Sequence, residues 1–192
     1  MIEKLAIIIP HLNYSGVNDL LGDFNEQENI VFSAFIVNNG DLKFKGLTWL
    51  NFAKNQGVAR SWNIGLNKAI EGGYVNFLWF NDDVRITDKS FLANCLKIIQ
   101  NGDVVCAGQQ ITGSGWCFGY NIDIVNKVGE FDERFFPCFW EDNDINTRLI
   151  NVNAKFVTVN GIEHKASSTT NTMSCQNYLP IMEETYRVKW QK

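Results

Sequence analysis

"NQGVARSWNIGLNKAIEGGYVNFLWFNDDV", Asn55 to Val84, decides the fold of this chain. Val58, Trp62, Leu66 and Ile70 recur at spacing i, i+4, which predicts a helix with one apolar face. Gly72-Gly73 end it. "YVNFLWF" then has the length and composition of a buried strand. It runs into Asn81, Asp82 and Asp83 without a polar transition. Two adjacent carboxylates at a strand end either cap the next helix or hold something positive.

Working outward, the same alternation recurs. "LAIII" (Leu5 to Ile9) predicts a buried strand stopped by Pro10, and a helix is expected over residues 17–26. "IVFSAFIV" (Ile30 to Val37) is a second strand, closed by the turn signal Asn38-Asn39-Gly40. Downstream, Asp88 is placed to cap a helix through "FLANCLKIIQ", closed by Gly102, and "DVVCAG" is a fourth strand. Strands alternating with helices predict an α/β fold with a mainly parallel sheet. Ligands of such sheets sit outside the carboxyl ends of the strands. Pro10, Asn38-Asn39 and Asn81-Asp82-Asp83 therefore share one rim. The second half is less regular. It predicts a strand at "GWCFGY", a short helix from Asp123 to Lys127 and an aromatic loop "FDERFFPCF". A helix from Trp140 to Ile150, a strand at "AKFVTV" and a helix from near Tyr178 follow.

Composition narrows the class. The 192 residues suffice for one domain with a sizeable core. A 45% hydrophobic and 20% charged chain is an ordinary soluble globular protein. The net charge of -4 gives no basic footprint and argues against nucleic acid as a partner. Cys95, Cys106, Cys117, Cys138 and Cys175 form no Cys-x-x-Cys pair, which argues against zinc. Their odd number, without a secretory signal, favours reduced thiols in a cytoplasmic compartment. No run reaches the roughly 18 apolar residues of a membrane span.

Chemistry is concentrated in a few places. Magnesium and manganese are bound by one or two carboxylates, with substrate phosphates completing the shell. Asp82 and Asp83 suit that role, since a cation removes the repulsion between them. In "FWEDNDINTRL", Glu141, Asp142 and Asp144 begin a helix, where they either complement its dipole or supply a general base. A calcium-loop reading fails, because the required Gly is Thr147 and the closing Glu is Asn153. Arg148 orients this cluster, balances a phosphate or makes a plain salt bridge. His164 is either structural or a supplementary metal ligand. "GSGWCFGY" lacks the dinucleotide spacing. Trp116, Phe139 and Trp140 either stack on a sugar face or fill the core. In "YLPIMEETYRVKWQK", Ile181, Met182 and Trp190 beside Arg187, Lys189 and Lys192 suit peripheral membrane contact. Packing on the domain or on a homodimer partner is the other reading.

In order, "IIIPHLN", "VNNG", "NQGVARSWNIG", "FLWFNDDV", "VGEFDERFF", "FWEDNDINTRL" and "EHKASS" resemble the motifs of glycosyltransferase family 2, with the GT-A fold. The flavour is that of the rhamnosyltransferase-like branch. The resemblance covers roughly Ala6 to Ser168. It implies a single domain over residues 1–192, with a nucleotide-sugar half (about 1–110) and an acceptor and catalytic half (about 111–192). It implies an inverting transferase that moves a hexosyl or deoxyhexosyl group from a nucleotide-diphosphate sugar to a hydroxyl acceptor such as a glycan, as in polysaccharide biosynthesis. The alternative is a catalytically silent GT-A domain that binds sugar or nucleotide. A nucleotidyltransferase is disfavoured, because "PHLNYSG" has no Lys or Arg. Asp83, with His164, would hold Mn2+ or Mg2+, and Asp82 would contact the donor ribose. Asp142 would be the base, beside Glu141 and Arg148. Pro10, Asn13, Asn38, Asn39, Asn55, Arg60 and Asn63 would line the donor pocket, with Trp116 and Trp140 on the acceptor side. Asn38 stands where the family has a base-reading Asp, and its amide carries no charge. The chain is short for the family, whose acceptor-side additions and membrane-anchoring tail are largely missing. The implied location is cytoplasmic, with peripheral membrane contact as an option.

Overall fold

The computed structural model describes residues 4–12, 16–40, 49–107, 115–165 and 174–190. Its first half comprises β1 (Leu5–His11), α1 (Val17–Asn25), β2 (Phe32–Asn38), β3 (Trp49–Asn51), α2 (Val58–Glu71), β4 (Asn76–Phe80), β5 (Val84–Ile86) and α3 (Phe91–Gln100). The second comprises β6 (Val104–Ala107), β7 (Cys117–Asn121), α4 (Ile122–Val128), α5 (Glu141–Asn151), β8 (Phe156–Val159), β9 (Ile162–His164) and α6 (Leu179–Trp190), the last preceded by a 3-10 turn at Ser174–Tyr178.

Seven strands form one sheet in the order β3-β2-β1-β4-β7-β6-β8. Pairing is parallel except at β7, which runs antiparallel to both neighbours. The central strands are apolar on both faces because helices cover both. Leu5, Ile7 and Ile9 of β1, with Leu78 and Phe80 of β4, pack under α1 and α3. The alternate residues Ala6, Ile8, Phe77 and Trp79 pack under α2, α4 and α5. Gly65 lets α2 lie this close: a Cβ there would stand 2.4 Å from Ile8 Cγ2.

Several local expectations change. β1 does not stop at Pro10 but continues to His11. Its pairing with β4 ends at Ile8, so Pro10 lies where only β2 is a neighbour and a missing N–H is tolerated. Asp83 opens no helix, and a three-residue strand follows it instead. Asp88 serves the turn ahead of α3, accepting from Ser90 N at 2.8 Å, while Ser90 occupies the cap position.

The chain leaves β1 toward β2 and β3 on one side and returns to β4 on the other. The order therefore reverses between β1 and β4, where their carboxyl ends form the crevice typical of ligand sites. A second, two-stranded ladder pairs β5 with β9 antiparallel, with Val84 opposite His164. That register sets His164 beside Asp83 across 81 residues of sequence.

α6 packs back on the domain. Met182 is buried, Tyr186 Oη bonds Thr147 Oγ1 at 2.6 Å, and the Trp190 indole donates to Asp144 at 2.8 Å. Met182, Lys189 and Trp190 thus pack on the domain, one of the two readings of this segment given above. Ile181 and Val188 stay exposed. All five cysteines are free and buried. Among the described residues no helix is long and apolar enough to cross a membrane.

Candidate active site at the sheet rim

A cavity of about 530 Å³ opens at the carboxyl ends of β1 and β4. It gathers ten of the site residues that the resemblance implies: Pro10, Asn39, Asn55, Asp82, Asp83, Trp116, Trp140, Glu141, Asp142 and His164. Loops after β1, β2 and β4, the end of β9, the start of α5 and the segment leading into β7 all contribute to its lining.

Asp82 and Asp83, both buried, have separate partners. Asp83 Oδ1 lies 3.0 Å from His164 Nε2, and the Asp83 carbonyl accepts from Lys165 N at 2.8 Å. The imidazole of His164 stacks on Trp116, ring centroids 5.2 Å apart and nearly coplanar. That contact covers one face of Trp116, leaving at most the other for a sugar. Asp82 instead accepts from His11 Nδ1 at 2.8 Å and Leu12 N at 3.3 Å, both on Oδ2. Burial pushes the Asp82 carboxyl above its ordinary value, against the opposing pull of the His11 hydrogen bond.

The donor set of Asp83 and His164 suits magnesium or manganese. Asp83 Oδ1 and His164 Nε2 are oxygen and nitrogen donors of the kind such an ion takes, and they lie side by side. Among the described residues no three His, Cys, Asp or Glu side chains converge as a metal-binding group. Phosphate and water oxygens would complete such a shell.

Asp142, in the first turn of α5, lines the same cavity. Its Oδ1 accepts from Asn143 N at 2.8 Å and its Oδ2 from Gly115 N at 3.1 Å. Burial raises its pKa, and these backbone hydrogen bonds pull it back down. Gly115 is a steric requirement, since a Cβ there would stand 2.3 Å from Asp142 Cβ. Glu141 is buried more deeply, and among the described residues its Oε2 has no hydrogen-bond partner. Burial, then the neighbouring Asp142 charge, raises its pKa well above the ordinary value. The backbone entering α5 is unusual: Phe139 (φ 80°) and Trp140 (φ 69°) are both left-handed. Such bulky residues cost roughly 1–3 kcal/mol each and persist where surroundings over-determine them. Trp140 is held by Tyr186, ring centroids 4.9 Å apart.

Four expected site residues do not line the cavity. Asn38 is fully buried, donating to Asn51 Oδ1 at 2.8 Å and accepting from Gly40 N at 3.0 Å. Arg60 is exposed and lies 3.9 Å from Glu133. Asn63 clamps the "GEFDER" loop instead, donating to Phe131 O at 3.0 Å and accepting from Phe131 N at 2.8 Å. Two motifs read above as separate are thus hydrogen-bonded partners. Arg148 points away from the cavity and donates to Val128 O, Glu130 O and Asp144 Oδ2 at 2.6, 2.7 and 2.8 Å. Asn13 lies outside the described residues.

Sequence reasoning missed three residues. His11 lines the cavity, 2% exposed, but its partner Asp82 is 71 residues away. Gly115 sits in a segment readable only as glycine-rich. Asp144 is read above with Glu141 and Asp142 as either a dipole complement or a general base, which hides its structural role. It is instead fully buried, tying Arg148, Lys189 (2.6 Å) and Trp190 together.

No family model and no curated protein matches the chain. Solved structures do. The mannosyltransferase PcManGT from Pyrobaculum calidifontis, in complex with GDP-Man and Mn2+, superposes over 97% of this chain and 70% of its own. Its TM-score is 0.66 and its identity 12%. S. aureus TarS matches over 81% of this chain at TM-score 0.64 and 16% identity. TarS residues 1–349 in complex with UDP-GlcNAc match over 96% at TM-score 0.64 and 15% identity. The chain spans 35% of the full TarS chain and 66% of the UDP-GlcNAc-bound one. At these identities the likeness is one of architecture: the chain has the GT-A fold of these glycosyltransferases.

Proposed function

We propose that this chain is a glycosyltransferase that moves a sugar, with inversion, from a nucleotide-diphosphate donor to an acceptor hydroxyl. One observation carries the reading. Asp82, Asp83, His164 and Asp142 line a single cavity at the topological switch of the sheet. Neighbours of the same fold hold GDP-Man with Mn2+ and UDP-GlcNAc, which supports a nucleotide-sugar donor and a divalent ion here.

Asp83 and His164 would hold Mn2+ or Mg2+. When bound, that ion supplies charge neutralisation for the departing diphosphate. Asp82 would accept from the donor ribose. Asp142 takes the proton from the acceptor O–H as that oxygen bonds the anomeric carbon, and the bond to the diphosphate oxygen breaks on the opposite face. The donor leaves as a nucleoside diphosphate, and the proton stays on Asp142 until water removes it. Desolvation strengthens Asp142 as a base, since its raised pKa brings it nearer the working pH. Trp140 forms part of the acceptor wall.

The test is calorimetry and turnover together. A panel of sugar nucleotides is titrated with and without Mn2+, and donor hydrolysis and transfer are then measured. Asp83→Ala should abolish the metal-dependent part of binding. Asp142→Asn should bind donor normally and lose turnover by 100-fold or more, within the typical range of general-base catalysis. Near-normal transfer by Asp142→Asn would refute the base assignment. Binding without any turnover in the unmodified protein would replace the enzyme reading by that of a sugar-nucleotide-binding module.

A further inference from the structure

We propose that His11 is a positioning residue of the donor site, holding one oxygen of Asp82 so that the other is presented to the donor's ribose hydroxyls. The inference rests on the donor-site reading above and assigns a role to a residue outside its set.

The two groups meet because of topology. His11 is the last residue of β1, and Asp82 follows the end of β4, its parallel neighbour at the switch point. His11 Nδ1 lies 2.8 Å from Asp82 Oδ2. Leu12 N–H donates to that same oxygen, so Oδ2 is an acceptor there and the imidazole is the donor. Two donors on one oxygen fix the carboxylate's rotation. Among the described residues nothing hydrogen-bonds Oδ1, and both His11 and Asp82 line the cavity.

His11 is itself held. It is 2% exposed, and its ring meets the Trp49 indole edge-on, centroids 5.6 Å apart at 81°. The adjoining backbone is pinned as well, the His11 carbonyl accepting from Asn39 N at 2.8 Å. A carboxylate held in this orientation presents its second oxygen as an acceptor for a ribose hydroxyl.

The experiment compares UDP and GDP with their 2′,3′-dideoxy counterparts, by calorimetry in the presence of Mn2+. The proteins are the unmodified chain and the His11→Leu, His11→Asn and His11→Gln variants. The unmodified protein should prefer the ribonucleotide by about tenfold or more, the scale of a hydrogen bond to a charged acceptor. His11→Leu keeps the bulk against Trp49 but removes the donor, so the preference should fall to about twofold or less. His11→Asn places an N–H near the Nδ1 position and should restore most of it. His11→Gln, whose amide reaches further, should not. Should His11→Leu fail to fold, the Asn and Gln pair still decides, because a structural role predicts no difference between them in ribose preference. A preference unchanged in His11→Leu, or equal in the Asn and Gln variants, overturns the proposal. No ribose preference in an unmodified protein that binds both nucleotides also overturns it. Failure of the unmodified protein to bind any nucleotide refutes the donor site itself, a separable result.

Discussion

Gly115→Ala is the most informative single change to this site. The added methyl would stand 2.3 Å from Asp142 Cβ and 3.0 Å from both Asp142 Cγ and Oδ2. Carbon atoms rest about 3.5–4.0 Å apart, so one side must retreat by more than about 1 Å. The Gly115 side is restrained, because the carbonyl of the next residue, Trp116, accepts from Asn81 N at 2.9 Å. Asp142 is therefore displaced, and the Gly115 N–H bond to its Oδ2, 3.1 Å, is stretched. A misplacement of 1 Å in a catalytic group costs about 100-fold in rate, equivalent to about 2.7 kcal/mol. Donor affinity by calorimetry should stay within about threefold, since Asp83, His164 and Asp82 are untouched. The transfer rate should fall about 100-fold. Adding Asp142→Asn should cost little more, because both changes disable one group. A Gly115→Ala enzyme with kcat within twofold of the unmodified protein would refute this account of how Asp142 is placed.

Other perturbations test the frame around the site. Asp144→Ala leaves Arg148 and Lys189 without their shared carboxylate and should cost about 3–5 kcal/mol in urea unfolding; a loss under 1 kcal/mol would contradict the role of Asp144 as an anchor. Gly65→Ala overpacks Ile8 and should cost about 1–3 kcal/mol. Ile8→Ala in the same chain should destabilise by less than the sum of the two, as denaturant midpoints would show. Glu141 has a folded pKa raised by burial above its ordinary 4.5. Below pH 4.5 it is protonated in both states and carries no penalty. Above that, the folded state retains a proton that the unfolded chain releases, so stability falls by about 1.4 kcal/mol per pH unit until the folded pKa is reached. Glu141→Gln should flatten that slope between pH 5 and 7, and an unchanged slope would locate the proton elsewhere.

The parts legible in the sequence were those with local signals. The i, i+4 spacing of Val58 to Ile70 and the apolar run Asn76 to Phe80 identify α2 and β4 because amphipathic period and strand length are short-range properties. The acids opening α5 were legible for the same reason. Three-residue strands were not. β5 and β9 have no periodicity of their own and exist through pairing with each other. Asn63 shows how a motif can be seen and still be misplaced. Its spacing before Gly65 is a packing signature, with the amide clamping Phe131 and the glycine admitting Ile8. Arg148 makes the salt bridge that its sequence left open, to Asp144, but it also turns to the carbonyls of Val128 and Glu130, which no local pattern marks.

The place of β7 has a consequence for the order in which the molecule is assembled. β4 borders β1 and β7, and β6 borders β7 and β8. Without Cys117–Asn121 the sheet is two separate ribbons, β3-β2-β1-β4 and β6-β8, each with an open hydrogen-bonding edge. β7 is made after both β4 and β6 and closes the gap by pairing antiparallel with each. Gly115 and Trp116 immediately precede it, so its insertion also carries part of the cavity's lining into position. The ribbon half-built on β1 and β4 already holds Asp82 and Asp83, but not the partner that seats Asp142. In this chain, joining the two ribbons and completing the lining of the cavity are one event.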